Sequence, residues 1–243
     1  NISIASPVVA FPSDDEDLTI TQDKILTLSE TLLGTLGLSG LETKQIAKRL
    51  EVSPSLINHY YKNAEELIFD TVLFSYTKLV KRIYDSFENQ SNPELAARGW
   101  IKEMLDWEIS LPGIGVILEF PRQVLRTGTK ATKNADEMLS KFQKEIGKIG
   151  VRNVVFMASA VRAIQKNTEF KILSPAKVAS LIATNPKYSM FASVLGFATI
   201  GGGLWIAGRR PSDRKNSIWL RLGFDPKRQT QTTIDAFIKI IRE

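Results

Sequence analysis

Between Thr43 and Lys62 the chain concentrates side chains that can bind a polyanion without transforming it. Thr43, Ser53 and Ser55 carry hydroxyls near the expected starts of short helices, where backbone N–H groups and the helix dipole favour phosphate oxygens. Asn58 and His59 offer donors and acceptors suited to base edges, and an asparagine can bond adenine in bidentate fashion. Lys62 adds a cation for a phosphate backbone. The chemistry these types support is recognition of nucleic acid. Each is also a residue that any solvated helix carries, so the elements that position them decide between the two readings.

Residues 43–61 read as two short helices joined by a tight turn. Thr43 is expected to cap the first, which would bury Ile46, Ala47 and Leu50. Ser53 is expected to cap the second, with Pro54 at the first helical position, where its missing N–H costs nothing. Ile57 and Tyr61 fall on the inward face of the second helix, which turns Asn58 and His59 outward. Ala47 lets the helices cross closely, and Val52 fills the turn. This is the pattern of a helix-turn-helix whose second helix enters the major groove, or of a helical corner inside another all-helical domain.

The flanks narrow the choice. Thr21 suits the cap of a helix running to about Leu36 through Ile25, Leu28, Leu32 and Leu33, with Gly37 and Gly40 after it. Downstream, Asn63 and Glu66 form a capping pair for a helix of some 24 residues ending near Phe87. A helix, Gly-Leu-x-Thr, Ile-Ala-x-x-Leu-x-Val-Ser, Leu-Ile-x-x-Tyr-Tyr, Lys-Asn-x-x-x-Leu and a long helix, over residues 20–75, resemble the TetR family of transcriptional repressors. Residues 1–18, with two prolines and the acidic run Asp14-Asp15-Glu16-Asp17, read as a mobile acidic tail. The resemblance implies an all-α fold after it: a three-helix DNA-binding domain over 19–65 and a larger helical effector-binding and dimerisation domain over 66–243. It also implies a homodimer that binds a near-palindromic double-stranded DNA operator and is released by a small, largely apolar effector. By the same resemblance Lys44 contacts base or phosphate, and Tyr60 contacts the DNA backbone. Four positions depart from the family's pattern. Ala64 stands where a phosphate-anchoring lysine is usual, Leu56 replaces a common Thr and Asn58 a common Tyr. Glu51 occupies a turn position usually given to Gly, at a cost of about 1 kcal/mol if the backbone there is left-handed.

Composition excludes several other classes. Hydrophobic residues make up 43% and charged residues 24%, ordinary for a globular chain. No cysteine is present, so disulfide and thiolate chemistry are out, and a reducing, cytoplasmic setting is expected. A single histidine, His59, disfavours histidine-based metal and triad sites. Gly201-Gly202-Gly203 lies in an apolar run with no lysine partner, so no phosphate-binding loop is expected and neither is a cofactor or an enzyme. The net charge of +6 suits a polyanion. Its distribution is uneven: ten Lys/Arg face four Asp/Glu from Lys130 to Lys177, but only five face three from Lys24 to Lys62. The segment that would read DNA is therefore mildly basic at most. No basic stretch precedes an apolar one at the start, so no secretory signal is expected, and the opening Asn1 suggests numbering that begins within a longer sequence.

The remainder reads as helices without a motif. A helix is expected over 94–111, a break at Leu111-Pro112-Gly113, and a short apolar stretch from Ile114 to Phe120. One long or two stacked helices follow over 131–167, with Gly147 and Gly150 as the joint in the second case. Ser174-Pro175 opens another, and Gln231–Arg242 gives an amphipathic last one after a basic loop over 209–227. From Met190 to Gly208 nineteen residues carry no charge. Their length suits a membrane span, but their glycines suit close helix packing in a dimer, and the dimer reading is preferred. Trp100, Met104, Trp107, Phe120, Phe156 and Phe170 are available to line an effector pocket, with Arg122, Gln123 or Arg162 as polar anchors. Aromatics at helical spacing are equally the makings of plain core. Two other functions stay open: a membrane-tethered helical protein held by residues 188–208, and a helical ligand-binding protein without DNA binding.

Overall fold

The computed structural model of the protein describes residues 16–127, 135–185, 188 and 226–242. Every regular element among them is helical. The uncharged segment after Met190, most of the basic loop and the first fifteen residues lie outside the described residues.

Leucine and isoleucine at helical spacing make the first element. Helix α1 (Glu16–Leu36) buries Ile25, Leu26, Leu32 and Leu33. It starts upstream of Thr21, the residue whose type suits the cap, so Glu16, Asp17 and Leu18 belong to the helix and not to a tail. Acidic side chains are favoured in a first turn, where they meet the positive end of the dipole. Gly37, at φ +68°, lets the chain leave the helix into a 3-10 turn over Gly37–Gly40. Two short helices follow, α2 (Thr43–Leu50) and α3 (Pro54–Tyr60).

Helix α4 (Ala64–Phe87) is the spine. It buries Leu67, Ile68, Val72, Leu79, Val80 and Ile83, each worth roughly 1.5–3 kcal/mol on removal from water, and packs against α1, α5 and α8. Helix α5 (Pro93–Ser110) is capped by Asn92, whose Oδ1 accepts from the Glu94 and Leu95 N–H groups. Pro112 does not merely break the chain: it is the first residue of α6 (Pro112–Glu119). Proline suits that position because its φ is pre-set and its missing N–H would be unpaired anyway. Helix α7 (Arg122–Thr127) is short, and α8 (Ala135–Lys166) runs unbroken for 32 residues through Gly147 and Gly150, so those glycines form no joint. Its opposite face carries the packing, burying Phe142, Ile149, Phe156 and Ala160. Helix α9 (Pro175–Thr184) begins as its Ser-Pro start predicts, with Ser174 Oγ accepting from Lys177 N–H at 3.3 Å. The last helix, α10 (Pro226–Arg242), lays Ile234, Phe237, Ile238 and Ile241 on α5 and α8, and begins inside the stretch expected to be loop. Arg98 ties it down by pairing with Asp235 at 2.6 Å and with Glu94 at 2.9 Å.

Two features tie the first helices to the rest of the molecule. One buried cluster runs from Ile25 and Ile57 through Val72 and Phe156 to Ile238, so the N-terminal helices and the later ones share a core. Helices α1 and α6 also touch backbone to backbone. A Cβ added at Gly113 would lie 2.1 Å from the Leu33 carbonyl oxygen, and one at Gly34 would lie 2.4 Å from Leu111 Cδ2.

Candidate nucleic-acid interface

The corner formed by α2 and α3 is built from its buried side chains outward. Ile46 and Ile57 are 0% exposed and, with buried Ala47, belong to the one core cluster on which the packed pair α2 and α3 rests. The turn reverses at Glu51, whose φ of 57° and ψ of 35° are left-handed, and its N–H reaches back to the Ala47 and Lys48 carbonyls. Val52 N–H then donates to the Ala47 carbonyl at 3.0 Å. Helix α3 begins under Ser53, whose Oγ accepts from Leu56 N–H at 3.3 Å and lies 2.8 Å from Ser55 Oγ. Tyr61, just past the end of α3, is buried. Its hydroxyl accepts from Gln22 Nε2 of α1 at 3.4 Å, and burial pushes its pKa above the usual phenol range. With Ile57 and Tyr61 inward, Asn58 and His59 stand exposed; Tyr60 is half-buried, its ring edge-on to His59 at 5.5 Å.

Thr43 differs from expectation. Glu42 holds the cap position, with extended φ and ψ, and its carbonyl accepts from the Gln45 and Ile46 N–H groups. Thr43 is therefore the first helical residue of α2, and its hydroxyl does not cap. Glu42 supplies no side-chain cap either. The first N–H groups of a helix lack intrahelical partners, so the start of α2 remains a site of partial positive charge. At α4 the capping pair forms with one change. Asn63 Oδ1 accepts from Glu66 N–H at 2.8 Å, while Glu66 Oε2 accepts from Lys62 N–H at 2.8 Å and not from that of Asn63. Lys62 keeps its side chain exposed.

A depression of about 520 Å³ opens on this corner, lined by Leu41, Glu42, Thr43, Lys44, Pro54, Asn58 and Ala64. It brings Thr43, Lys44 and Asn58 together; Ser53, Ser55, His59, Tyr60 and Lys62 lie outside its wall. A hydroxyl, an ammonium, an amide and a helix N-terminus around one concavity offer donors to an anion with several oxygens, such as a phosphodiester, while the Glu42 carboxylate in the same wall offsets the charge of Lys44. Ala64 makes part of the wall apolar.

The candidate effector residues divide into three groups. Trp100, Met104 and Trp107 are buried on α5, and their polar atoms are occupied. Trp100 Nε1 donates to Asn153 Oδ1 at 2.6 Å, Trp107 Nε1 donates to Ser75 Oγ at 2.9 Å, and Met104 Sδ accepts from Asn153 Nδ2 at 3.5 Å. Phe156 and Phe170 pack on each other at 5.1 Å, and Tyr84 meets Phe156 edge-on at 5.4 Å, a second aromatic group. Phe120 and Arg122 are exposed around the α6–α7 junction, Arg162 is half-buried on α8, and Gln123 lies on α7 with its side chain outside the described residues. The sequence reading passes over Ser75, Tyr76, Glu108 and Asn153. Asn153 Nδ2 donates to Tyr76 Oη at 3.0 Å, so α4, α5 and α8 share one polar network inside the core. The signal for Glu108 is positional: it follows Ile101 by seven residues and Met104 by four, on the buried stripe of α5.

Among the described residues no three His, Cys, Asp or Glu side chains converge on a metal position, and no helix is long and apolar enough to cross a membrane. No protein-family model matches the chain, and no curated protein or solved structure matches it either.

Proposed function

We propose that the chain is a DNA-binding transcriptional regulator of the TetR type, a repressor that works as a homodimer on a near-palindromic operator and answers to a small effector. The observation that carries this reading is the depression that joins Thr43, Lys44 and Asn58 beside the exposed face of α3. Helix α3 is held from behind by Ile57 and Tyr61, so Asn58 and His59 are offered outward on a rigid support. Phosphate contacts at the start of α2 would fix register, and Asn58 and His59 would read bases. In a dimer the two copies of α3 would enter major grooves about one helical turn apart. The effector domain would be the helices from α4 onward, favouring when occupied a dimer whose spacing no longer fits the operator.

The test is a gel shift on genomic fragments, titrated with salt. Specific retention of a fragment at low salt is expected, lost by Asn58→Ala and weakened for all sequences alike by Lys44→Ala. Absence of any specific fragment at low salt overturns the reading and leaves a helical ligand-binding protein.

A further inference from the structure

Helix α5 carries a carboxylate into the core without a partner. Glu108 is 5% exposed, and no hydrogen-bond donor or cation among the described residues is paired with it. Its Oε2 lies against α6 at Gly115, where an added Cβ would sit 2.1 Å away. Glu119 stands one turn further along α6, and helical side chains lean toward the N-terminus. Glu119 is near enough for its charge to bear on Glu108, and the bare backbone of Gly115 makes the room that the Glu108 carboxylate takes up. Tyr76 of α4 feels both charges, and its hydroxyl is pushed up to about 12, mainly by burial. The neighbouring N–H donors are committed elsewhere: Trp107 Nε1 to Ser75, Trp100 Nε1 and Asn153 Nδ2 within their own network. The rings of Tyr76 and of Trp107, the residue before Glu108, lie 6.0 Å apart and tilted to each other. Glu119 and Phe120, both exposed at the end of α6, mark the open side.

Buried carboxylates are ordinarily paired or neutral. Here burial first, and repulsion from Glu119 second, push the Glu108 carboxyl up to about 8, so it holds its proton at neutral pH. A ligand that supplies positive charge and N–H donors would satisfy Glu108, Glu119 and the Tyr76 oxygen together, and aromatic faces attract cations.

We propose that Glu108, Glu119 and Tyr76 form a binding site for an organic ammonium ion, with its apolar body against Tyr76 and Trp107. The site deepens the proposed effector response and rests on it for its regulatory meaning; the binding itself requires no DNA. On binding, the Glu108 carboxylic acid loses its proton to solvent, leaving a carboxylate–ammonium pair. No bond of the ligand changes. The titratable groups facing Glu108 are Glu119 from α6 and Tyr76 from α4.

Calorimetry on the full chain tests it, with phenethylammonium as the probe and 2-phenylethanol as its neutral counterpart, in two pH 7 buffers of different ionisation heat. The ammonium should bind about tenfold or more tighter than the alcohol, as charge-assisted hydrogen bonds allow, with release of close to one proton per site. Glu108→Gln should lower ammonium affinity about tenfold or more and abolish proton release, leaving the alcohol unaffected. Glu119→Gln, at an exposed position that leaves folding intact, should weaken the ammonium and reduce proton release. Equal affinity for the two probes, ammonium binding unchanged in Glu108→Gln, or no ammonium binding at millimolar concentration overturns the proposal. Loss of operator binding in the gel shift while ammonium binding holds overturns the regulator reading alone.

Discussion

Replacing Glu108 by glutamine should flatten the protein's pH–stability curve between mildly acidic and mildly alkaline conditions. The folded carboxyl is held at about 8 against an ordinary value of 4.5, chiefly by burial and then by Glu119. Below the lower value the group is protonated in both states and carries no penalty. Between the two values the unfolded chain releases the proton and the folded chain keeps it. The folded state then binds more protons, so stability falls as pH rises. Each pH unit costs about 1.4 kcal/mol. Across the interval the loss is on the order of 4–5 kcal/mol, a large part of the ~5–15 kcal/mol that holds a typical domain together. Above the upper value both states are ionised and the loss stops growing. Glutamine keeps the shape and cannot titrate. The two proteins should thus be nearly equal at pH 4 and differ by several kcal/mol at pH 9, with the variant the more stable. Urea midpoints for both proteins at four pH values measure this directly. Asp70, pushed up to about 6 by burial, adds its own pH dependence equally to both, so the difference reports Glu108 together with its coupling to Glu119. Parallel curves would refute a buried unpaired carboxyl at this position, and the ammonium site with it.

Three further outcomes are expected. Gly113→Ala places a Cβ 2.1 Å from the Leu33 carbonyl oxygen, and backbone cannot swing aside, so it should destabilise by about 1–3 kcal/mol in urea; an unchanged midpoint would mean that α6 does not rest on α1 in this way. Glu51→Gly relieves the left-handed conformation at φ 57° and should stabilise by about 1 kcal/mol in the same assay, since the N–H contacts to Ala47 and Lys48 need no side chain. Ala64→Lys adds a cation at the wall of the depression and should tighten binding to DNA, steepening the slope of log affinity against log salt by about 0.9, read by fluorescence anisotropy.

The helices are legible where both ends carry chemistry. Asn63 and Glu66 mark the start of α4, and Ser53-Pro54 and Ser174-Pro175 mark two more, because a side-chain cap or a proline at the first helical position acts within four residues and needs no tertiary partner. Ends without such chemistry are misplaced. Thr43 has the better cap side chain, but Glu42 takes the cap because the chain leaving the 3-10 turn is extended there. Glycines 147 and 150 cost about 1 kcal/mol each, too little to break a helix whose other face is buried over many turns. The outward face of α3 is legible because Ile57 and Tyr61 define the inward one. The depression is not, since Leu41, Pro54 and Ala64 reach it from separate segments. Glu108 is missed for another reason. Treating carboxylates as surface residues hides one that the helical repeat of α5 itself puts inside.

The distance between the interior carboxylate and the exposed corner is bridged by unusually stiff contacts. Glu108 bears on Gly115, and Gly113, two residues earlier on the same helix, bears on the Leu33 carbonyl of α1. Helix α1 then packs on α2, and its Gln22 holds the Tyr61 hydroxyl behind α3. At the α6 positions in this chain no flexible side chain intervenes, so a shift of α6 has no rotamer to absorb it; close-packed interiors transmit such strain. An ammonium ion entering between Glu108 and Glu119 would turn a neutral acid and its repelling neighbour into a paired cluster pressed on the last two turns of α6. Whatever displacement that produces must be taken up either by α1 or by the masses of α4 and α5 on the other side. Helix α6 packs on α1 more extensively than on α4 or α5, and the 3-10 turn after α1 lies against it as well. Helix α1 therefore takes the larger part of any movement of α6, and the α2–α3 corner packs on α1, so the corner is where that movement arrives.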